Sequence, residues 1–493
     1  MNNALAFQKD LKLVPPSADD KRADLERLLN ALGMDNLQVP LGLVRELPAA
    51  LRDNGFKISP LFGMFDGGTR LISIDRKEFA GLAIDIGTTN IAASLHDLKR
   101  GTKISAMSIE NPQREYGPDI LSRVQFAMEH GVKDLTGSLV GGLNRLIEEV
   151  TSGRAVEREH VVAVTVASNT VMSHFLLGLD VNNIPIEPYT PVVHSPGFFT
   201  AGELGLDINP RGVVYMFPNA GSYVGGDIVS GIISTEIHRS GAISVLIDVG
   251  TNAEIVIGNR DWLLVGAGAA GPALEEGIFS SGKRAVEGSI YRIDLQGDTA
   301  VPVYRTINNA PPAGICGSGI IDLVAGLYEH GMIDSRGRFT PECHTGIING
   351  ERAYTLFKDD KTHLYITERE IDNFMRSKAA MFTSLHVLLQ AVGIGIGDIE
   401  RIFIAGALGG GVRVENAITL GMLPDIPAEK YIPAGNTSVK GAELLLKDAG
   451  VLNDIRKVRS EITYHEMNTD TTFMKEFPGA LFIPHATPRV LKP

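Results

Sequence analysis

Ala83-Ile84-Asp85-Ile86-Gly87-Thr88-Thr89-Asn90 and, far downstream, Leu246-Ile247-Asp248-Val249-Gly250-Thr251-Asn252-Ala253 are two versions of one pattern. Each is an apolar strand that runs into Asp-x-Gly-Thr and is followed by a second strand. One such hairpin is turn chemistry. Two, heading successive halves of a chain, predict paired lobes that present two carboxylates to a shared cleft. Magnesium-bound nucleoside triphosphate suits such a cleft: two Asp can hold the metal's water shell while Gly-Thr backbone N–H groups meet phosphate oxygens.

The rest of the composition narrows the class. With 493 residues, 44% of them hydrophobic, the chain can bury a large core across several lobes. A net charge of −12 argues against nucleic acid or an anionic membrane as the main partner. Cys316 and Cys343 lie far apart and match no C-x-x-C pattern, so they neither hold an iron–sulfur cluster alone nor suggest a secreted disulfide scaffold. The scattered His residues show no H-x-x-x-H metal spacing. The start has no signal-peptide pattern, and no run approaches the ~20 apolar residues of a membrane helix. A soluble, cytoplasmic protein is expected.

Residues 1–77 read as a small separate unit. A strand at 11–14 precedes Pro15-Pro16, and Ser17 caps a helix whose Leu25, Leu28, Leu29 and Leu32 share a face. A second helix over 41–52 ends at Asn54-Gly55, and 70–74 is a returning strand. The first lobe, 78–240, opens with strands 79–85, 90–97 and 103–109, a meander. Helical pattern follows over 119–150, a strand over 161–166, a helix after Ser168-Asn169-Thr170, a Pro-rich extended loop over 184–218, and a helix opened by Gly225-Gly226-Asp227. The second lobe, 241–435, repeats the meander at 243–248, 253–257 and 261–265. It continues with a helix after residues 314–319, a long helix over 368–392 and a strand at 401–405 that ends in Gly406-Ala407-Leu408-Gly409-Gly410-Gly411. Residues 436–493 are expected to return to the first lobe as a helix and tail. This duplication organises the chain.

Three glycine patterns need separate treatment. Gly277 to Gly282-Lys283 nearly spells a P-loop, but Arg284 stands where Ser or Thr must hold magnesium, and no strand precedes it. Gly266-x-Gly268-x-x-Gly271 with Asp294 downstream matches a dinucleotide fingerprint, yet its strand belongs to a meander instead of an opening βαβ unit. The run 406–411 follows an apolar strand, where glycines let backbone approach a ring or ribose without Cβ obstruction.

The order of turn, helix, turn, helix and strand into Gly-Gly resembles the sugar kinase, heat-shock chaperone and actin superfamily of ATPases. Within it, Gly-Ile-Cys-Gly-Ser-Gly-Ile-Ile-Asp at 314–322 looks like the reductive activators of corrinoid proteins. So do Gly225-Gly226-Asp227-Ile228, Ala270-Gly271-Pro272-Ala273, Ile404-Ala405-Gly406-Ala407-Leu408-Gly409 and Asp470-Thr471-Thr472-Phe473-Met474. The resemblance covers nearly the whole chain, with 1–77 like the small middle domain of those activators. It implies an α/β fold: a two-lobed actin-like ATPase of duplicated ribonuclease H-like lobes, each on a mixed five-stranded sheet, behind a small N-terminal α+β domain. It also implies ATP hydrolysis that drives reduction of a cobalt(II) corrinoid to cobalt(I) for methyl transfer. The family's N-terminal ferredoxin-like domain, with its cluster-binding Cys set, has no counterpart here. Either it has been trimmed away, or a separate ferredoxin-type protein supplies electrons, or the chain performs only the ATP-driven half.

By the family's pattern, Asp85 and Asp248 orient magnesium-bound water. Thr88, Thr89, Thr251 and Asn252 meet phosphate oxygens, with Asn90 beside them, while Gly87 and Gly250 permit the tight turns. Gly406, Gly409 and Gly410 border the adenosine. Asp227 either caps a helix or polarises the attacking water. Glu275, Lys283 and Arg284 either embrace ribose or base or form a solvated face. Asn169 and Thr170 support the connection between lobes, and Cys316 fills a crowded helix start. The expected ligands are ATP and Mg2+, with no iron–sulfur cluster in this chain. The expected partner is a corrinoid protein or another metallocofactor protein, and the expected assembly a homodimer. Alternatives are an activator of another low-potential cofactor such as the nickel tetrapyrrole of methanogens, a small-molecule kinase, a non-hydrolysing ATP-binding module, and an NAD-binding enzyme.

Overall fold

The computed structural model describes residues 3–154, 156–250, 253–268, 279–297, 300–406, 411–467 and 470–493. By internal packing the chain forms two units, Met1–Ser234 with Ser438–Ser460, and Thr235–Thr437 with Glu461–Pro493.

The first unit is built on a mixed sheet in the order Gly197–Thr200, Val213–Met216, Val161–Ser168, Ala80–Ile86, Asn90–Asp97, Thr102–Glu110. Ala80–Ile86 pairs parallel with Val161–Ser168, which pairs parallel with Val213–Met216; Asn90–Asp97 and Thr102–Glu110 complete an antiparallel meander. Val161–Ser168 is buried at every position, the continuous apolar pattern of a strand covered on both faces. Leu82, Ile84 and Ile86 are buried beside it, each side chain worth about 1.5–3 kcal/mol in transfer terms. The helix Lys133–Thr151 sets Leu135, Leu139, Leu143, Leu146, Ile147 and Val150 on the face that joins this core. Residues 3–79 add a four-stranded sheet (Ala6–Gln8, Leu61–Phe65, Gly68–Ser73, Leu37–Gln38) and two helices, Asp24–Leu32 and Leu41–Asp53, around Leu28, Leu43, Leu47, Leu51 and Phe62.

The second unit repeats the plan. Its sheet runs Tyr431–Gly435, Arg401–Gly406, Ser244–Val249, Ala253–Gly258, Leu263–Gly268, Ile462–His465. Ser244–Val249 is central, with the antiparallel meander on one side and the parallel strands Arg401–Gly406 and Tyr431–Gly435 on the other. The helix Glu368–Val392 lies against the meander and buries Ile371, Phe374, Met375, Phe382, Leu385 and Leu388. Thr367 caps it, its Oγ1 accepting from Glu370 N, while Glu370 reaches back to Thr367 N.

Several expectations change. Each large sheet has six described strands, not five, because Gly197–Thr200 extends the first and Ile462–His465 the second. The stretch 184–218 holds two strands where its prolines predicted loop; Pro191, Pro196 and Pro210 fall outside them. The helical pattern over 119–150 is two helices, Ile120–His130 and Lys133–Thr151, parted at Gly131, whose φ of +83° ends the first. Ser17 does not cap the first helix. Its hydroxyl accepts from Asp20 N in a turn ahead of it, and the helix begins after Ala23. Of residues 436–493, Ser438–Ser460 belongs with the first unit, but Glu461–Pro493 belongs with the second, where Ile462–His465 pairs parallel with Leu263–Gly268.

Candidate functional site

Asp85 and Asp248 occupy the same place in the two sheets. Each lies one residue before the end of the central strand. Asp85 pairs with Ala92 of the meander and Ala167 of the parallel strand; Asp248 pairs with Glu254 and Ala405. Ligands of α/β sheets collect beyond the carboxyl ends of parallel strands, and both carboxylates stand there, half-buried.

In the first unit the turn is closed by Gly87 N donating to Asn90 O (2.9 Å). Thr88, Thr89 and Asn90 are half-buried. Asn111, fully buried, braces the turn twice: its Nδ2 donates to Gly87 O (2.9 Å) and its backbone N to Thr89 O (2.9 Å). Asn169 holds the tip, its Nδ2 donating to Thr88 Oγ1 (3.2 Å) while its Oδ1 accepts from Met172 N (2.9 Å) and caps the helix Thr170–Leu177. Because that amide donates to Thr88 Oγ1, the threonine's own proton is released to point elsewhere. Thr170 Oγ1 donates to Gly221 O (2.6 Å). The contacts of Asn169 and Thr170 described here therefore lie within the first unit, whereas the sequence suggested a role between lobes.

A second helix starts at the same edge. Gly225 packs so closely on the Asn169 backbone that a Cβ would overlap it, and Asn219 Oδ1 accepts from Gly226 N (3.2 Å). This fixes the start of the helix Gly226–Thr235 and with it Asp227, whose Oδ1 accepts from Ile228 N (2.8 Å). Burial pushes the Asp227 carboxyl up to about 6, against the backbone N–H of Ile228, which pulls it down. The carboxylate sits in the helix's first turn, bonded to the next backbone N–H, with a proton affinity raised toward neutrality.

In the second unit Gly250 is exposed beyond the central strand. Gly406 has φ +71°, and a Cβ there would overlap Asp248 Oδ1 and Val249 O. The first glycine of the run is thus required by its conformation and by the carboxylate beside it. Magnesium and phosphate chemistry fits these donor types: carboxylate and hydroxyl oxygens with backbone N–H groups beside them. Thr251, Asn252, Glu275, Gly409 and Gly410 lie outside the described residues. Lys283 lies in an extended segment, its N donating to Ile315 O (2.9 Å) and its stem across Gly314. No helix follows it, as a P-loop would need. Asp294 pairs with Arg413, which gives it a partner unrelated to a dinucleotide ribose. Cys316 is buried at the start of the helix Gly317–Glu329. Among the described residues no group of His, Cys, Asp and Glu has metal-holding spacing, and no helix is long and apolar enough to cross a membrane.

Sequence reasoning missed Asn111. Asn111 heads Asn-Pro-Gln directly after a strand, a turn signal that could have drawn attention.

The duplicated sheets and the paired acidic turns define an actin-like α/β fold of the ASKHA class. Comparison with known proteins agrees. The C-terminal domain of RACo, described as the ASKHA domain, matches residues 242–492, the RACo middle region matches 80–240, and the RACo linker region matches 3–79. The chain belongs to the RACo family, the reductive activators of corrinoid proteins. Residues 3–79 are that family's linker region, not a middle domain, and the first lobe is its middle region. A solved reductive activator for a corrinoid, iron–sulfur protein is 34% identical, covers 99% of this chain and 81% of its own, and superimposes with a TM-score of 0.93. The corrinoid activation enzyme RamQ of Eubacterium limosum is 29% identical over 81% of this chain and 70% of its own. A reductase of Methanosarcina barkeri acting on a Co(II) methylated amine-specific corrinoid protein is 23% identical over 80% of this chain and 75% of its own.

Proposed function

We propose that this chain hydrolyses Mg–ATP to drive the reductive reactivation of a corrinoid protein, from cobalt(II) to cobalt(I). The observation that carries this reading is the repeated Asp-x-Gly-Thr sequence, whose two aspartates take the same place on the central strands of two sheets that share a five-strand core.

Asp85 and Asp248 are the carboxylates that would hold magnesium-bound water when Mg–ATP is bound. Magnesium, when bound, neutralises phosphate charge and orders water. Backbone N–H groups of the two turns, with Thr88, Thr89, Asn90, Thr251 and Asn252, receive phosphate oxygens. Asn111 keeps the carbonyls of Gly87 and Thr89 occupied, which fixes the turn's shape. Thr88 donates its hydroxyl proton to a phosphate oxygen because Asn169 already fills its acceptor side. Asp227 takes the proton of the attacking water, with a proton affinity matched to that task. Gly406, Gly409 and Gly410 border the adenosine, with Lys283 and Glu275 near the ribose or base. Hydrolysis changes the chain's affinity for its protein partner; nucleotide can do so only by binding its two conformations unequally. An electron donor of ferredoxin type completes the reaction.

The test follows cobalt spectroscopically in a corrinoid methyl-transfer protein, with this chain, a low-potential reductant and Mg–ATP. Cobalt(I) forms with the wild-type chain and ATP. It does not form with Asp85→Ala or Asp248→Ala, or without ATP. Equal cobalt(I) yield from either variant refutes the proposal.

A further inference from the structure

Ser173, His174 and Asn219 are polar side chains, each 0% exposed. Burying polar groups is costly unless each finds its partners, and these do. Ser173 Oγ donates to Thr170 O (2.7 Å) and accepts from Asn219 Nδ2 (3.2 Å). His174 Nδ1 lies 2.7 Å from Thr170 O, which can only accept, so Nδ1 carries the proton and Nε2 is left as an acceptor. Val192 N (3.1 Å) and Val193 N (3.4 Å) donate to it. The segment held in this way closes on Asn219. His194 O accepts from Asn219 N (2.6 Å), and Val193 O makes a longer contact with Asn219 Nδ2 (3.5 Å).

Ser173 and His174 are neighbours on the helix Thr170–Leu177, whose cap Asn169 donates to Thr88 Oγ1. Asn219 is therefore fastened to that helix twice, directly through Ser173 and indirectly through His174. Its free end, Oδ1, accepts from Gly226 N (3.2 Å) at the start of the helix that carries Asp227. A short series of bonds thus runs from the threonine of the phosphate turn to the carboxylate: Thr88 to Asn169, Ser173 to Asn219, Asn219 to Gly226. Packing alone sets how near the two helix starts come, since a Cβ on Gly225 would overlap the Asn169 backbone. Hydrogen bonds are directional, so they also set how one helix start is turned upon the other.

We propose that Asn219, held by Ser173 and His174, is a positioning residue that sets the Asp227 carboxylate relative to the phosphate turn. This rests on the Mg–ATP reading above and on the task it gives Asp227. A residue that acts only through Asp227 has no effect left once that carboxylate is gone. A residue that acts elsewhere costs the same factor with or without it, and one that only stabilises the unit lowers the melt and leaves the rate per folded molecule alone.

The experiment measures phosphate release over a range of Mg–ATP concentrations, with a thermal melt of each protein. The proteins are the wild type, Asn219→Leu, Ser173→Ala, Asp227→Asn and the double variant Asn219→Leu/Asp227→Asn. Asn219→Leu is expected to lower kcat at least ~10-fold and to change KM less than ~2-fold, because a small misplacement of a reacting group acts on rate. The double variant is expected to be no slower than Asp227→Asn. Should Asn219→Leu not fold, Ser173→Ala must lower kcat at an unchanged KM. Wild-type kcat in the folded variant, or an equal fall with and without Asp227, overturns this inference alone. Wild-type kcat in Asp227→Asn removes the task of Asp227 and this inference with it. Absence of Mg–ATP hydrolysis by the wild type overturns the nucleotide reading as well.

Discussion

Replacing Gly406 with Ala probes the second turn with a single methyl group. Two costs add. At φ +71° an alanine pays about 1–2 kcal/mol for the left-handed conformation. The new Cβ also overlaps Asp248 Oδ1 and Val249 O, so the carboxylate or the strand end must move. Together these give a loss of about 2–3 kcal/mol, large against the 5–15 kcal/mol that holds a domain folded. Displacement of a reacting-centre group by about 1 Å costs on the order of 10²-fold in rate, so turnover should fall at least that far. Urea unfolding and a phosphate-release assay read the two effects on one preparation. Gly137→Ala is the control. Gly137 sits exposed in the helix Lys133–Thr151 with nothing within 4 Å of an added Cβ, so it should stabilise by about 0.5–1 kcal/mol and leave turnover unchanged. If Gly406→Ala keeps wild-type stability and turnover, Asp248 is not held as argued.

Three further outcomes follow. Asn111→Ala removes the donor on Gly87 O and the cap on Gln113 N, and should lower stability by about 1–2 kcal/mol and raise the KM for Mg–ATP; an unchanged KM separates Asn111 from the turn. Asp227 is held up to about 6, so the folded chain binds its proton more tightly than the unfolded chain; stability from this group is present below the ordinary carboxylate range and is lost as pH rises through about 6. Asp227→Asn should therefore melt higher than wild type at pH 8 while losing turnover, and the wild-type rate should fall as pH drops below 6; a variant that melts lower at pH 8 contradicts the burial argument. Lys378 is buried, donates to Phe482 O and Pro484 O, and is pushed down to about 7 by desolvation, so the folded chain disfavours its charge. Wild-type stability should therefore rise relative to Lys378→Met as pH rises from 7 toward 10, and a difference that does not change with pH refutes the lowered proton affinity.

The sequence disclosed the parts of this fold that depend on neighbours in the chain. Strand alternation around Asp85 and Asp248 and the Gly-Thr turns carry local chemistry, so the duplicated meander could be read directly. So could the helix Glu368–Val392, whose cap and apolar face are both local. Failures fell where distant partners decide. Gly197–Thr200 becomes a strand only because Val213–Met216 lies beside it, and its flanking prolines spoke for loop. Ile462–His465 joins the second sheet through pairing with Leu263–Gly268, nearly two hundred residues earlier, so the tail's path could not be read from its own residues. The candidate site divides the same way. Asp85, Asp248, Asp227 and Gly406 announce themselves by motif, whereas Asn111 and Asn169 act through bonds to backbone or side chains that only folding brings near.

The most direct measurement is calorimetric titration of Mg–ATP into the full chain and into Asp85→Ala and Asp248→Ala, with a chelator series to remove the metal. Magnesium-dependent binding by the wild type, weakened at least ~10-fold by either substitution, is the expected result. Binding that is indifferent to magnesium and to both aspartates, or no binding at all, contradicts the paired-turn site.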